Sequence, residues 1–159
     1  LNNGVPVTSE FLNVSQAAPG VFTANATGLG QAAVLNQDFS LNGDPAQIPN
    51  AKPEARGRFI IVYANGQGAQ LVNPATQQPL TIASGVPATA SPLYATLTRP
   101  TVTIGGIAAQ VDFSGLAPGF VGLWQLNVLV PNNAPTGNAL PLVVSVDGRT
   151  SATTTVAIN

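Results

Sequence analysis

Glycine and proline punctuate this chain into short runs with little helical periodicity. The 16 glycines and 14 prolines recur throughout the 159 residues, and an interior proline removes a helical backbone donor while glycine weakens helix and strand alike. Several of the runs between them are rich in Val, Ile and Thr and alternate rather than repeat every three or four positions. That pattern predicts strands joined by turns, an all-β chain.

The clearest case is "TVTIGGIAAQVDF", in which Gly105 and Gly106 stand between two runs as a two-residue hairpin turn requiring positive φ. On the return strand Ile107, Ala109, Val111 and Phe113 share one side and Ala108, Gln110 and Asp112 the other. A dry face and a wet face are expected. A second hairpin is signalled by "LVVSVDGRTSATTTVAI", turning at Asp147 and Gly148 into a threonine-rich outer strand.

Between the hairpins lies "GLAPGFVGLWQLNVLVPNNAPTG", which holds the only tryptophan. Trp124, Leu126, Val128 and Val130 alternate with Leu123, Gln125, Asn127 and Leu129, so the even positions are expected in the core. Trp124 then packs rather than lining a site. "GRFIIVYANGQG" supplies another core strand, with Tyr63 ending its buried run. Residues 73–100 read as mostly loop, with one short strand at Leu80 to Ala83.

The first 50 residues give weaker strands at Phe11 to Val14, Val21 to Thr23 and Gln31 to Asn36, before a proline-rich connector, "NGDPAQIPNAKPEARG". Val5-Pro6-Val7 suits an edge or an arm. Ala18-Pro19-Gly20-Val21-Phe22 echoes Ala117-Pro118-Gly119-Phe120-Val121, which repeated type II turn chemistry explains. One domain is expected over 1–159, made of an arm (1–16), additional strands and the connector (17–55) and a main body (56–159).

Composition narrows function by subtraction. Charged residues make up 7%, against roughly 25% in an average soluble protein, so little charge repulsion opposes association. The five basic residues, Lys52, Arg56, Arg58, Arg99 and Arg149, form no dense run, which argues against nucleic acid. With no cysteine and no histidine, thiol catalysis, Ser-His-Asp chemistry and the usual zinc ligand sets have no residues to use. No apolar stretch approaches the roughly 20 residues that span a bilayer. Read from Leu1 the sequence shows no secretory-signal pattern, and a mature product or a piece of a larger protein is expected.

Several motifs carry a chemical reading beside a plainer one. The acids Glu10, Asp38, Asp44, Glu54, Asp112 and Asp147 are too scattered to suggest a glycosidase pair. "GLGQAA" matches a loose dinucleotide fingerprint, but no helix follows it, and a β-turn explains it better. In "DFSLNGD", Asp38, Ser40 and Asn42 precede a glycine as in the first half of a calcium loop, with Asp44 as an alternative ligand; the closing position is Pro49. Calcium is the one cofactor this suggests, against a loop held by its own Asp and Asn side chains. Lys52 lies in the connector, a poor place for an isopeptide crosslink, and Asn13 and Asn25 fit the glycosylation pattern. Among aromatic residues Trp124, Phe113 and Tyr63 are expected inside, leaving Tyr94 and Phe39 for a sugar to stack upon.

Taken together, "APGVFTANATGLGQAAVLNQDFSLN", "RGRFIIVYANGQG", "VTIGGIAAQVDFSGLAPGFVGLWQLNVLVP" and "VSVDGRTS" resemble the Solibacter-type C-terminal domain of exported bacterial proteins. From Gly57 onward the chain also resembles IPT/TIG immunoglobulin-like domains. The resemblance implies an immunoglobulin-like β-sandwich with extra N-terminal strands, at the cell surface or outside the cell. It implies no catalytic residue. The expected function is structural or adhesive, by edge-strand pairing with copies of itself or neighbouring domains, with Val5, Val7, Phe11, Leu12 and Val14 as a donated arm. The alternative is a carbohydrate-binding module contacting surface glycans through Tyr94.

Overall fold

A computed structural model describes residues 14–159, and their regular structure is all strand. In chain order these are β1 (Gly20–Val21), β2 (Gly30–Gln31), β3 (Val34–Asn36), β4 (Phe59–Asn65), β5 (Leu71–Val72), β6 (Pro79–Leu80) and β7 (Ala95–Thr96). There follow β8 (Thr101–Ile104), β9 (Ile107–Leu116), β10 (Trp124–Leu129), β11 (Gly137–Val146), β12 (Arg149–Thr150) and β13 (Thr154–Ile158). The all-β expectation holds. No helix among the described residues is long and apolar enough to cross a membrane.

Both hairpins form as the turns dictate. Ile104 pairs with Ile107 across Gly105 and Gly106, whose φ angles are 58° and 82°. Val146 pairs with Arg149 across Asp147 and Gly148, at 49° and 71°. Positive φ at both central residues gives a turn whose twist matches the flanking strands. The second hairpin is less regular than its sequence suggests: the ladder breaks after β12 and resumes at β13. At the break the Val144 amide donates to the Ser151 hydroxyl instead of a carbonyl, over 3.1 Å.

The main hydrogen-bonded order is β1-β4-β10-β9-β8-β11-β13-β2. Its two ends belong to one segment of chain. β2 runs parallel to β13, and Ala32 extends the contact by donating to the Thr155 carbonyl over 2.8 Å. Two residues later β3 pairs antiparallel with β4. Gly30–Asn36 therefore lies along β13 and then along β4, which curls the sheet back toward itself. Main-chain groups that would face solvent at these edges are paired within the chain.

The interior is continuous along this path. Ile60 and Val62 of β4, Trp124, Leu126 and Val128 of β10, Ile104 of β8, Leu142 and Val144 of β11 and Val156 of β13 belong to one buried cluster. Val21, Ala32 and Val34 from the N-terminal third lie in it too. A smaller cluster gathers Leu71, Ala88 and Leu116 with half-buried Leu80, Ile82 and Tyr94.

Two expectations about facing fail for one reason each. Along β9, Val111 stands opposite Val128, but Phe113 stands opposite Asn127, so Asp112 is an extra residue in a bulge. An added residue reverses which side later residues face. Ser114 and Leu116 turn inward opposite Leu126 and Trp124, and Phe113 turns outward. The apolar run of β4, read as buried throughout, is buried only at Ile60, Val62 and Ala64, while Phe59, Ile61 and Tyr63 are half-buried on the other side. Trp124 is enclosed as expected, its indole N–H donating to the Ser114 hydroxyl over 2.9 Å.

Residues 73–100 are mostly loop, as expected, and hold two short strands, β6 and β7, which pair with β5 just before them. β7 also pairs with β9 at Gly115. The strand expected at Leu80 to Ala83 falls at Pro79–Leu80, with Ile82 following as a packed side chain.

Candidate functional site

The stretch singled out for calcium is a polar clasp on the edge of β13. Asn42 is buried, and its side chain acts as a strand residue would: its Oδ1 accepts from the Ala157 amide at 2.9 Å and its Nδ2 donates to the Ala157 carbonyl at 2.8 Å. The same Nδ2 also reaches Asn36 Oδ1 at 2.8 Å. Asn36 in turn donates to the Lys52 carbonyl at 3.0 Å and the Ser40 hydroxyl at 3.0 Å. Beyond Asn42 along the same edge, the Glu54 amide donates to the Ala157 carbonyl and the Asn159 amide to the Glu54 carbonyl.

The four proposed calcium ligands are not brought to one centre. Asp38 accepts from Lys52 Nζ at 2.6 Å and from the Ser40 hydroxyl at 2.6 Å, Asn42 turns inward, and Asp44 accepts from the Ala46 amide at 3.0 Å. The Lys52 hydrogen bond, followed by those from Ser40, holds the Asp38 carboxyl well below the ordinary carboxylate range. Among the described residues no group of three or more acids gathers in a way that could hold a metal ion. The loop is held by its own Asp and Asn side chains, the plainer of the two sequence readings.

The other described acids are committed separately. Glu54 accepts from the Gln37 amide at 2.6 Å and the Ala55 amide at 2.9 Å, and pairs with Arg58 Nε at 3.3 Å. Asp112 accepts from Gln110 Nε2 at 2.6 Å, and Asp147 occupies its turn. Glu10 lies outside the described residues, as do Val5, Val7, Phe11 and Leu12 of the proposed arm. Val14 is exposed.

The aromatic side chains are arranged differently from the expectation. Ala95 pairs with Gly115, so its neighbour Tyr94 points to the opposite side of the sheet, half-buried against Leu71, Ala88 and Leu116. Phe39 is exposed, as expected. Tyr63 and Phe113 share the outward face of β4, β10 and β9. Directly paired residues lie on the same face, so that face can be read from the register: Tyr63, Gln125 and Gly115 in one row, Ile61, Asn127 and Phe113 in the next, and Phe59, Leu129 and Gln110 in the third.

A column of two amides and a leucine thus runs between an aromatic-rich column and a mixed one. Gln125 Nε2 donates to Asn127 Oδ1 at 2.9 Å. Beside them Gln37, Phe59, Ile61, Asp112 and Asn127 line a shallow hollow. Gly115 has no side chain to fill its place, and an atom at its Cβ position would come within 2.7 Å of the Phe113 ring and overlap the Tyr94 carbonyl. The Phe113 ring accordingly leans over Gly115.

Sequence reasoning missed this surface because the bulge at Asp112 leaves no mark in the alternation. The signal available was Ser114-Gly115, a hydroxyl for the tryptophan and a gap for the phenylalanine. No family model, curated protein or solved structure matches the chain.

Proposed function

We propose that this chain is a non-catalytic extracellular module with a structural or adhesive role, working by docking onto neighbours or copies of itself. The observation that supports it best is the character of its exterior. Large apolar side chains, among them Phe22, Leu29, Phe39, Leu41, Leu97, Phe120 and Val121, are exposed on a chain in which only 7% of residues are charged. Such a surface loses little on leaving water and meets little charge repulsion in doing so.

The pairing of the sheet leaves some edges more open to a neighbour than others. β4 and β13 are covered by Gly30–Asn36 and the Asn42 clasp, so they offer little to an incoming strand. The start of β11 is more open: β8 pairs with Leu142 to Ser145, while Asn138 and Ala139 are exposed beyond it. Edge pairing by a donated arm fits that stretch. At the β9–β10 turn, Phe120 and Val121 are presented by a loop braced through Ala88 and Gly119, whose bonds measure 2.8 and 3.0 Å.

Light scattering over a concentration series tests the proposal. Association of the full chain is expected, weakened by deleting residues 1–16 or by the double substitution Phe120→Ser and Val121→Ser. A full chain that stays monomeric at every concentration contradicts self-association. Association unchanged in both variants contradicts the surfaces named.

A further inference from the structure

We infer that the outward face of β4, β10 and β9 is a platform for a neutral glycan; this names a partner for the docking module proposed above and rests on that reading. The flanking columns lie two strand spacings apart, about 10 Å, and hold Tyr63, Ile61 and Phe59 on one side and Phe113 on the other. The aromatic rings suit the apolar faces of pyranose rings. Amides between them suit hydroxyl groups, which both donate and accept.

The central column is ready for such a ligand. The bond from Gln125 to Asn127 leaves Gln125 Oε1 and Asn127 Nδ2 without side-chain partners among the described residues. Neither atom is sealed from solvent, since no buried polar side-chain atom among those residues lacks a partner. One acceptor and one donor are therefore left within reach of solvent. Asp112 holds Gln110 with one oxygen and leaves the other free at the rim of the hollow.

Charge chooses among ligand classes. The paired rows carry no charged side chain; Asp112 stands at the rim of the hollow, and Arg99 lines the neighbouring pocket with Asp112 and Phe113. With one carboxylate and one guanidinium at its margin, the face has no cluster of cations to draw a polyanion, whereas a neutral polyol needs none. A peptide strand needs an open edge rather than a face. A second copy packed here would strip water from the amide column and require each amide to find a partner.

Calorimetric titration of the full chain with three neutral hexasaccharides, β-linked glucose, β-linked N-acetylglucosamine and α-linked glucose, tests the assignment. Binding of at least one is expected. Tyr63→Ala, Phe113→Ala and Asn127→Ala should each weaken it roughly three- to tenfold, Tyr63→Phe should restore it, and Phe39→Ala should leave it unchanged. Thermal unfolding of each variant shows that the fold survives.

No heat with any of the three sugars overturns the inference, as does binding indifferent to all three alanine substitutions or lost only with Tyr94→Ala. Light scattering on the same samples separates the two levels. Self-association without sugar binding removes the glycan and leaves the docking module, and self-association abolished by the face substitutions makes a second copy the occupant and also overturns the glycan. Absence of both removes both.

Discussion

The same three strands, β4, β10 and β9, present two faces that do different work. Inward, Ile60, Val62, Ala64, Trp124, Leu126, Val128 and Leu116 are sealed, and the one polar group among them, Ser114, is bonded to Trp124 and Thr96. Outward, Phe59, Ile61, Tyr63, Leu129 and Phe113 are only half-buried and share the surface with amides. Alternation along a strand assigns residues to faces, but equally apolar residues on the two faces have unequal consequences. An inward substitution should be read in stability and an outward one in binding.

The largest effect expected from this contrast is at Trp124. Trp124→Ala should cost about 3–5 kcal/mol in denaturant unfolding, since it leaves a large void and removes one of the two hydrogen-bond partners of the Ser114 hydroxyl, whereas Tyr63→Ala should cost about 1 kcal/mol or less. Equal losses at the two sites would erase the distinction. Gly115→Ala sharpens it, because its new methyl group meets backbone at Tyr94 as well as the Phe113 ring; overpacking of about 1–3 kcal/mol is expected. An unfolding midpoint equal to that of the parent chain would mean that Phe113 does not lean over this position.

Asn42→Ala removes both bonds to Ala157 and the bond to Asn36. Leaving buried groups unpaired costs about 1–3 kcal/mol, measurable by the same unfolding experiment. An effect no larger than that of Phe39→Ala would show the clasp to be ornamental. The smallest effect belongs to Asp38, which is exposed and paired with exposed Lys52. Its carboxyl is depressed in the folded protein, so its contribution is present above about pH 4, where the unfolded carboxyl is ionised, and fades as pH falls further. Asp38→Asn should flatten the acid side of the melting profile slightly, and added salt should do the same. A larger loss at neutral pH than at pH 2 is the expected sign.

How much of this was legible depended on whether the deciding contact was local. Gly105-Gly106 and Asp147-Gly148 announced their turns because φ is set by the residues themselves. Trp124 to Val130 announced its inward face because nothing interrupts the alternation. Phe113 misled because Asp112 bulges against β10, a long-range event with no local mark. Tyr63 misled because a run of apolar residues reads alike whether both faces are buried or one. In the clasp, Asn42 resembled a metal ligand because an amide that holds β13 and an amide that holds calcium offer the same oxygen. Its partner, Ala157, is far away in sequence, and no spacing rule connects them.

Placing edge association away from β13 relies on that strand being covered by its own chain, and amide hydrogen exchange of the full chain alone tests that most directly. With the edge covered, the amides of Ala32, which donates to Thr155, and Ala157, which donates to Asn42, should exchange on the slow scale of Val62 and Leu126 in the core strands. Exchange of Ala32 and Ala157 as fast as that of Gly148 in its exposed turn would instead leave β13 open to an incoming strand, and would contradict the closure of the sheet.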